Sequence, residues 1–156
     1  MNRSTVTPDL LHHLINGSHA EAITRLAVAV VSEHGERVLL IEHAGDECDC
    51  SWEPPTDLVL PGETITDAVH RVATQAGIDI DHITSYLGHH DLRTDDDVLR
   101  VFGFAATTTD PDRICRLALT PHQWAAVDNL PDNIDRQALR FIDTAVRATG
   151  PMREDA

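Results

Sequence analysis

The sequence predicts an α+β fold, a mixed β-sheet flanked by helices in an α/β/α sandwich. Three observations carry this. Short runs rich in Val, Leu and Ile are separated by polar turns, as strands are. Residues 65–76 and 134–148 instead space their apolar residues three and four apart, as one face of a helix requires. The two kinds of segment alternate irregularly, through hairpins rather than repeated βαβ units, which favours a mixed sheet over a doubly wound parallel one. With 156 residues the chain suits one domain with a real core. The expected division is a helical extension over 1–24, the main domain over 25–150 and a disordered tail over 151–156.

In the extension, Thr7-Pro8-Asp9 supplies a cap and a proline for the first turn, and Leu10, Leu11, Leu14 and Ile15 recur at helical spacing. Gly17 offers a stop, and His12 and His13 are expected to face solvent. Residues 26–31 (LAVAVV) and 38–41 (VLLI) read as a hairpin around the polar turn Glu33-His34-Gly35-Glu36. Residues 43–57 (HAGDECDCSWEPPTD) read as a loop, and 58–60 as a brief strand. In the next helix Ile65, Val69, Val72, Ala73 and Ala76 share one face, Thr64 with Asp67 resembles a capping box, and Gly77 ends the run. Residues 83–87 and 98–107 read as strands around the acidic turn at 94–97. Residues 114–119 read as a short strand, and Thr120-Pro121 as the start of a helix to about residue 127. A terminal amphipathic helix over 134–148 uses Leu139, Ile142 and Val146.

Composition excludes several classes of function. The formal net charge is -14, and all 12 basic residues are Arg. Such an acidic surface repels phosphate backbones, which argues against nucleic-acid binding; it keeps a protein soluble and would also suit a basic protein partner. Without Lys there is no Schiff-base or lysine-nucleophile chemistry. Cys48, Cys50 and Cys115 are too few and too oddly spaced for a secreted disulfide framework, and Cys115, in an apolar run, reads as an inert buried thiol. No apolar run is long enough to span a membrane, and the N-terminal residues do not read as a secretion signal. The expected location is the cytoplasm.

The run WEPPTDLVLPGETITDAVHRVATQAGI, residues 52–78, resembles the Nudix hydrolases (MutT-like). Their box is written G-x5-E-x7-R-E-u-x-E-E-x-G-u, with u aliphatic, and often sits in text such as WELPGGKVEPGET. Trp52, Glu53, Pro55, Val59, Pro61, Gly62, Glu63 and Thr64 fall in register with it, and Arg71, Gly77 and Ile78 agree with its later half. The preceding hairpin, Tyr86-Leu87-Gly88-His89, Val101-Phe102-Gly103-Phe104 and Leu119-Thr120-Pro121-His122 extend the likeness over roughly residues 25–148. It implies the Nudix fold, and in active members a helix whose glutamates hold Mg²⁺ for attack of water on a diphosphate.

Here the box is degenerate. Val72 and Gln75 occupy glutamate positions, the segment is one residue short before Gly77, and Ala76 stands where a third acid would be. Thr56 and Asp57 replace the paired glycines, Leu60 another acid, and Pro121 the glutamate of L-T-E-H. The resemblance therefore implies no metal by the standard motif and no cofactor, with Mg²⁺ or another divalent metal expected only if hydrolysis survives. In that case Glu63, Asp67, His70, Arg71 and His122 are the candidate catalytic residues. Trp52, Glu53 and Arg25 are the candidate ligand-binding residues, Trp52 either stacking a base or anchoring its loop. Arg71, with Val72 beside it, is expected to form a structural salt bridge with Glu63 or Glu53. His43, Asp46, Glu47, Cys48 and Cys50 form a loop cluster read as a metal site or an ordinary polar loop. His89-His90-Asp91 should send one His to each face of its strand. Two readings follow: a non-catalytic or weakly active module that binds a nucleotide-like small molecule or a protein, or a divergent hydrolase of a nucleoside diphosphate linked to another moiety. A homodimer, with the N-terminal helix packed across the interface, fits either.

Overall fold

The computed structural model describes residues 6–23, 25–44, 50–93, 95–108 and 122–149. In chain order the elements are α1 (Pro8–Ala20), β1 (Arg25–His34), β2 (Arg37–Ala44), β3 (Cys50–Glu53), β4 (Thr56–Leu58), α2 (Ile65–Gln75), β5 (His82–Arg93), β6 (Val98–Thr107), β7 (His122–Ala126) and α3 (Arg136–Thr149). The strands form one mixed, seven-stranded sheet: β1 runs parallel to β6, and every other pairing is antiparallel.

The sheet is organised by a fork. β1 and β2 pair only beside their turn, at Glu33↔Val38 and His34↔Arg37, and then splay. The next segment fills the opening. β3 pairs with the later half of β2, Ile41↔Glu53 to Ala44↔Cys50, and β4 pairs with the early half of β1, Ala27↔Leu58 to Ala29↔Thr56. Residues 27–29 also pair with β6, and residue 41 with β7, so β3 and β4 occupy the facing edges of the fork. Pro54 and Pro55 cross between them, buried; neither has an N–H to donate, and Pro55 O accepts the Val30 N–H at 2.9 Å.

Alternation along the strands divides the core into two layers. Val28, Val30, Leu39, Phe102 and Phe104 face α2, which buries Ile65, Ala68, Val69, Val72 and Ala73; α1 packs on this side through half-buried Leu11, Leu14 and Ile15. Ala27, Ala29, Val31, Leu40, Val101 and Ala105 face α3, which buries Phe141, Ile142 and Ala145. The end of α1 is tied to the sheet by Arg100, buried in β6, which holds Asp91 (2.8 and 3.0 Å) and Glu21 (2.9 and 3.2 Å). The expected α+β sandwich with a mixed sheet is thus the observed architecture.

Several local expectations need correction. α1 passes through Gly17 to Ala20, because Ser18 is fully buried and packing outweighs the glycine's cost of about 1 kcal/mol. Within the expected loop at 43–57, β3 and β4 are strands, since the fork offers them unpaired edges; the strand expected at 58–60 ends at Leu58. The expected helix from 120 is instead the strand β7, drawn onto the free edge of β2. The expected strand at 114–119, Cys115, loop residues 45–49 and the tail at 151–156 lie outside the described residues.

Gly103 in β6 lies under the Phe141 ring of α3: a Cβ there would stand 2.5 Å from Phe141 Cδ1. Phe141 is buried, and its ring must shift to admit that Cβ. Gly103→Ala should therefore destabilise the fold by about 1–3 kcal/mol, read as a lower urea midpoint at unchanged slope; an unchanged midpoint would mean the α3 layer yields freely.

Candidate functional site

The residues of the box converge where β4 meets α2. Thr64 caps α2, its hydroxyl accepting the Asp67 N–H at 3.0 Å. The helix ends in a Schellman turn: Gly77 takes φ 92°, with Gly77 N–H to Thr74 O at 2.9 Å and Ile78 N–H to Ala73 O at 3.1 Å. Arg71 projects back toward the chain before the helix. Its Nε donates to Glu63 Oε2 at 2.8 Å and its Nη2 to Glu63 Oε1 at 3.1 Å, a bidentate pair. Nη2 also donates to Leu58 O, and Nη1 to Asp57 Oδ2 at 3.3 Å. Gln75 joins through the amide orientation in which its oxygen accepts from Arg71 Nη1 and its NH₂ donates to Asp57 Oδ2, both at 3.3 Å. Backbone donors complete the set: Leu60 N–H to Glu63 Oε1 at 3.0 Å, and Leu58 N–H to Asp57 Oδ1 at 2.7 Å.

All four carboxylate oxygens of Glu63 and Asp57 therefore accept from the protein's own N–H groups. The Arg71 guanidinium holds the Glu63 carboxyl below its ordinary value, helped by the Leu60 N–H. Glu63, the structural partner expected for Arg71, is found there. Asp57, read in the sequence only as a lost glycine, is the partner the sequence reading missed; an acid fourteen residues before an arginine carries no contact signal by itself.

A hard divalent cation needs several carboxylate oxygens converging on one point, and the residues present on α2 do not fit one. Val72 is 2% exposed and Ala76 is buried, so two of the degenerate positions belong to the core. A carboxylate at 72 would have to be desolvated, at a cost of several kcal/mol. Asp67 and His70 are exposed on α2, but His70 lines a shallow groove with Pro8, Leu11 and His82, away from the Glu63–Arg71 pair. Among the described residues, no three His, Cys, Asp or Glu side chains are grouped to hold a metal ion.

The remaining candidates are scattered. Arg25 pairs with Asp97 at 3.2 Å. Glu53 stands opposite Ile41 in β3. Trp52 packs half-buried against the α3 layer, its backbone held by Asn133 O and the Asp135 N–H at 3.0 Å each, which is the loop-anchor alternative. His122 opens β7 opposite Ile41, with its side chain outside the described part. In the loop cluster, the backbone pairs His43↔Ser51 and Ala44↔Cys50 close its base, and Asp46, Glu47 and Cys48 lie outside the described residues.

A cleft of about 290 Å³ opens instead between β5 and α3, floored by Leu87 and Phe141 and rimmed by His89, His90, Gln137 and Arg140. The two histidines do face opposite ways: His89 meets Phe102, and His90 lies against Phe141 with ring centroids 5.3 Å apart. Burial pushes the His90 imidazole below its ordinary value, against the pull of Asp135 and Asp91, which favours its neutral form. Gln137 Oε1 is buried without a hydrogen-bond partner among the described residues. The sequence placed one histidine of the pair on each face of the strand without assigning His90 to a cleft; Gln137 carried no signal, being one polar residue on an amphipathic helix.

The NUDIX domain family model matches residues 23–144, and the chain belongs to that family. Its fold is similar to the solution structure of the E. coli ORF135 protein (TM-score 0.64, 15% identity, covering 84% of this chain and 96% of that one). It is also similar to a MutT NUDIX hydrolase from Burkholderia pseudomallei (0.64, 19%, 77% and 96%) and to an ADP compounds hydrolase (0.64, 14%, 81% and 75%). No curated protein sequence matches the chain.

Because the Glu63 carboxyl is held below its ordinary value of 4.5, its contribution to stability is complete above that pH and is lost as pH falls through the lowered value. Glu63→Gln should flatten the fall in urea midpoint below about pH 4.5; a variant that loses stability in parallel with the parent at every pH would contradict the pairing.

Proposed function

We propose that this chain is a Nudix-fold binding module, non-catalytic or weakly active, that takes a nucleotide-like small molecule in the β5–α3 cleft. The observation that carries the reading is the closed network of Arg71, Glu63, Asp57 and Gln75, which engages the carboxylates of the box among themselves. The cleft supports it. Its volume of about 290 Å³ lies at the small end for a ligand pocket, and it combines an apolar floor with a neutral imidazole and an unpaired amide oxygen. Those groups suit the edge of an uncharged heterocycle. The functional unit is the domain over 25–150 with its helical extension over 1–24, acting in the cytoplasm. The acidic surface fits a basic protein partner better than nucleic acid, and among the described residues no helix is long and apolar enough to cross a membrane.

The second reading is a divergent hydrolase acting on a nucleoside diphosphate linked to another moiety. Exposed Asp67 and His70, three residues apart on α2, favour it. In it Glu63, Asp67 and His70 would hold a divalent metal, Arg71 would position Glu63, and His122 would act as a base. Among proteins of similar fold are an ADP compounds hydrolase and a UDP-X diphosphatase.

Calorimetric titration of chelator-stripped protein with adenosine should give a saturable isotherm that weakens at least ten-fold in Gln137→Ala. Phosphate release from a nucleoside-diphosphate panel should stay at background with Mg²⁺, Mn²⁺ or Zn²⁺. Metal-dependent turnover abolished by Asp67→Ala would overturn the binding reading in favour of the hydrolase.

A further inference from the structure

β5 is the last strand of the sheet. It pairs with β6 along one edge, and among the described residues no strand pairs with the other. An open strand edge turns an N–H and a C=O outward on every second residue, a template for a further strand. Proteins commonly blunt such edges with bulges and charged side chains. β5 is bulged over its first half only: its register shifts fall between Ile83 and Ser85 and between Tyr86 and Gly88. From Gly88↔Gly103 to Arg93↔Val98 the pairing with β6 is regular. The acid in the middle of this stretch does not guard the edge, because Asp91 is turned to Arg100 at 2.8 and 3.0 Å. His89, Leu92 and Arg93 are exposed, so the chain leaves this part of the edge open to solvent.

Charge decides the occupant. A two-fold pairing of 89–93 with a second copy would set Asp91 opposite Asp91 and bring together two chains of formal charge -14 each. A basic segment meets the opposite condition. On the α1 side the end of β5 borders a hollow lined by Glu21, Arg93, Asp95, Asp96 and Asp97. Arg25 pairs with Asp97 and Arg100 with Glu21, whereas Asp95 and Asp96 are exposed and hold no ion pair among the described residues. The acids set the sign of the partner, and the open edge holds it.

The geometry points to residues 89–93 of β5 as a docking edge for an extended, basic peptide segment of a partner protein, which adds to the sheet as a further strand. Main-chain hydrogen bonds to the outer edge supply the affinity, and alternate side chains supply the selectivity. Those on the α1 face are arginine or lysine, directed toward Asp95 and Asp96. Five residues of a strand cover about 17 Å, so a segment of about six residues spans the edge. This docking does not depend on a small molecule in the β5–α3 cleft.

The test uses the full chain and a capped hexapeptide of alternating arginine and valine, with calorimetry and residue-resolved amide hydrogen exchange. The peptide should bind, and at saturation it should slow exchange of amides within 89–93 at least ten-fold. N-methylation of its arginines or of its valines removes the donors from one edge of the peptide or from the other. One of the two methylated peptides should therefore lose affinity at least ten-fold while the other keeps it. A glutamate-for-arginine peptide should not bind, and an Asp95→Asn, Asp96→Asn double variant should bind the parent peptide at least three-fold more weakly. These two positions are exposed, and circular dichroism checks that the variant folds. No binding, methylated peptides that behave alike, unchanged exchange at 89–93, or equal binding of the glutamate peptide would each overturn the proposal. Unchanged affinity in the double variant would overturn it as well. Sedimentation velocity supplies a further check: a dimer of the free chain whose 89–93 amides are already protected would assign the edge to a second copy and overturn the peptide proposal.

Discussion

Arg71 joins three pieces of chain: the end of β4 through Asp57 and Leu58 O, the turn before α2 through Glu63, and α2 itself. Its side chain is 23% exposed and that of Glu63 14%, so the pair is partly shielded from water and stronger than an open surface bridge. The bidentate geometry fixes direction as well as distance. With this contact in place, α2 enters at a set angle and lays Ile65, Val69 and Val72 on the sheet. The same contact directs the carboxylates inward to the scaffold instead of outward to a cation.

The fork between β1 and β2 is the second constraint. β1 pairs along one whole edge with β6, yet meets β2 only beside the turn. The crossing at Pro54-Pro55 lets a single segment satisfy both open edges, and it delivers Asp57 and Leu58 to the spot where Arg71 reaches them. The box stands on the α2 side of the sheet, while the cleft stands on the α3 side.

Much of the fold was legible because it follows local rules. The Thr64 cap, the Gly77 stop and the 65–76 periodicity predicted α2 closely, and the runs at 26–31 and 98–107 predicted strands, though not that the two pair in parallel. What escaped was decided by distant partners. β3, β4 and β7 are short, polar or proline-bearing segments that become strands because β1 and β2 present them with unpaired edges. Of the site, the Arg71–Glu63 pair was legible from the box, whereas Asp57 and Gln137 gain their roles only from contacts across the fold.

The central claim is that Glu63 and Asp57 are engaged by Arg71 rather than held open for a divalent cation. Its most direct test is paramagnetic: ¹⁵N-labelled, chelator-stripped protein titrated with Mn²⁺ to one equivalent, with amide intensities followed residue by residue. The network predicts that amides over 57–76 keep their intensities up to that point. Selective loss of signal around Glu63, Asp67 and His70 at stoichiometric Mn²⁺ would contradict it, and would return α2 to the metal-binding helices of its family.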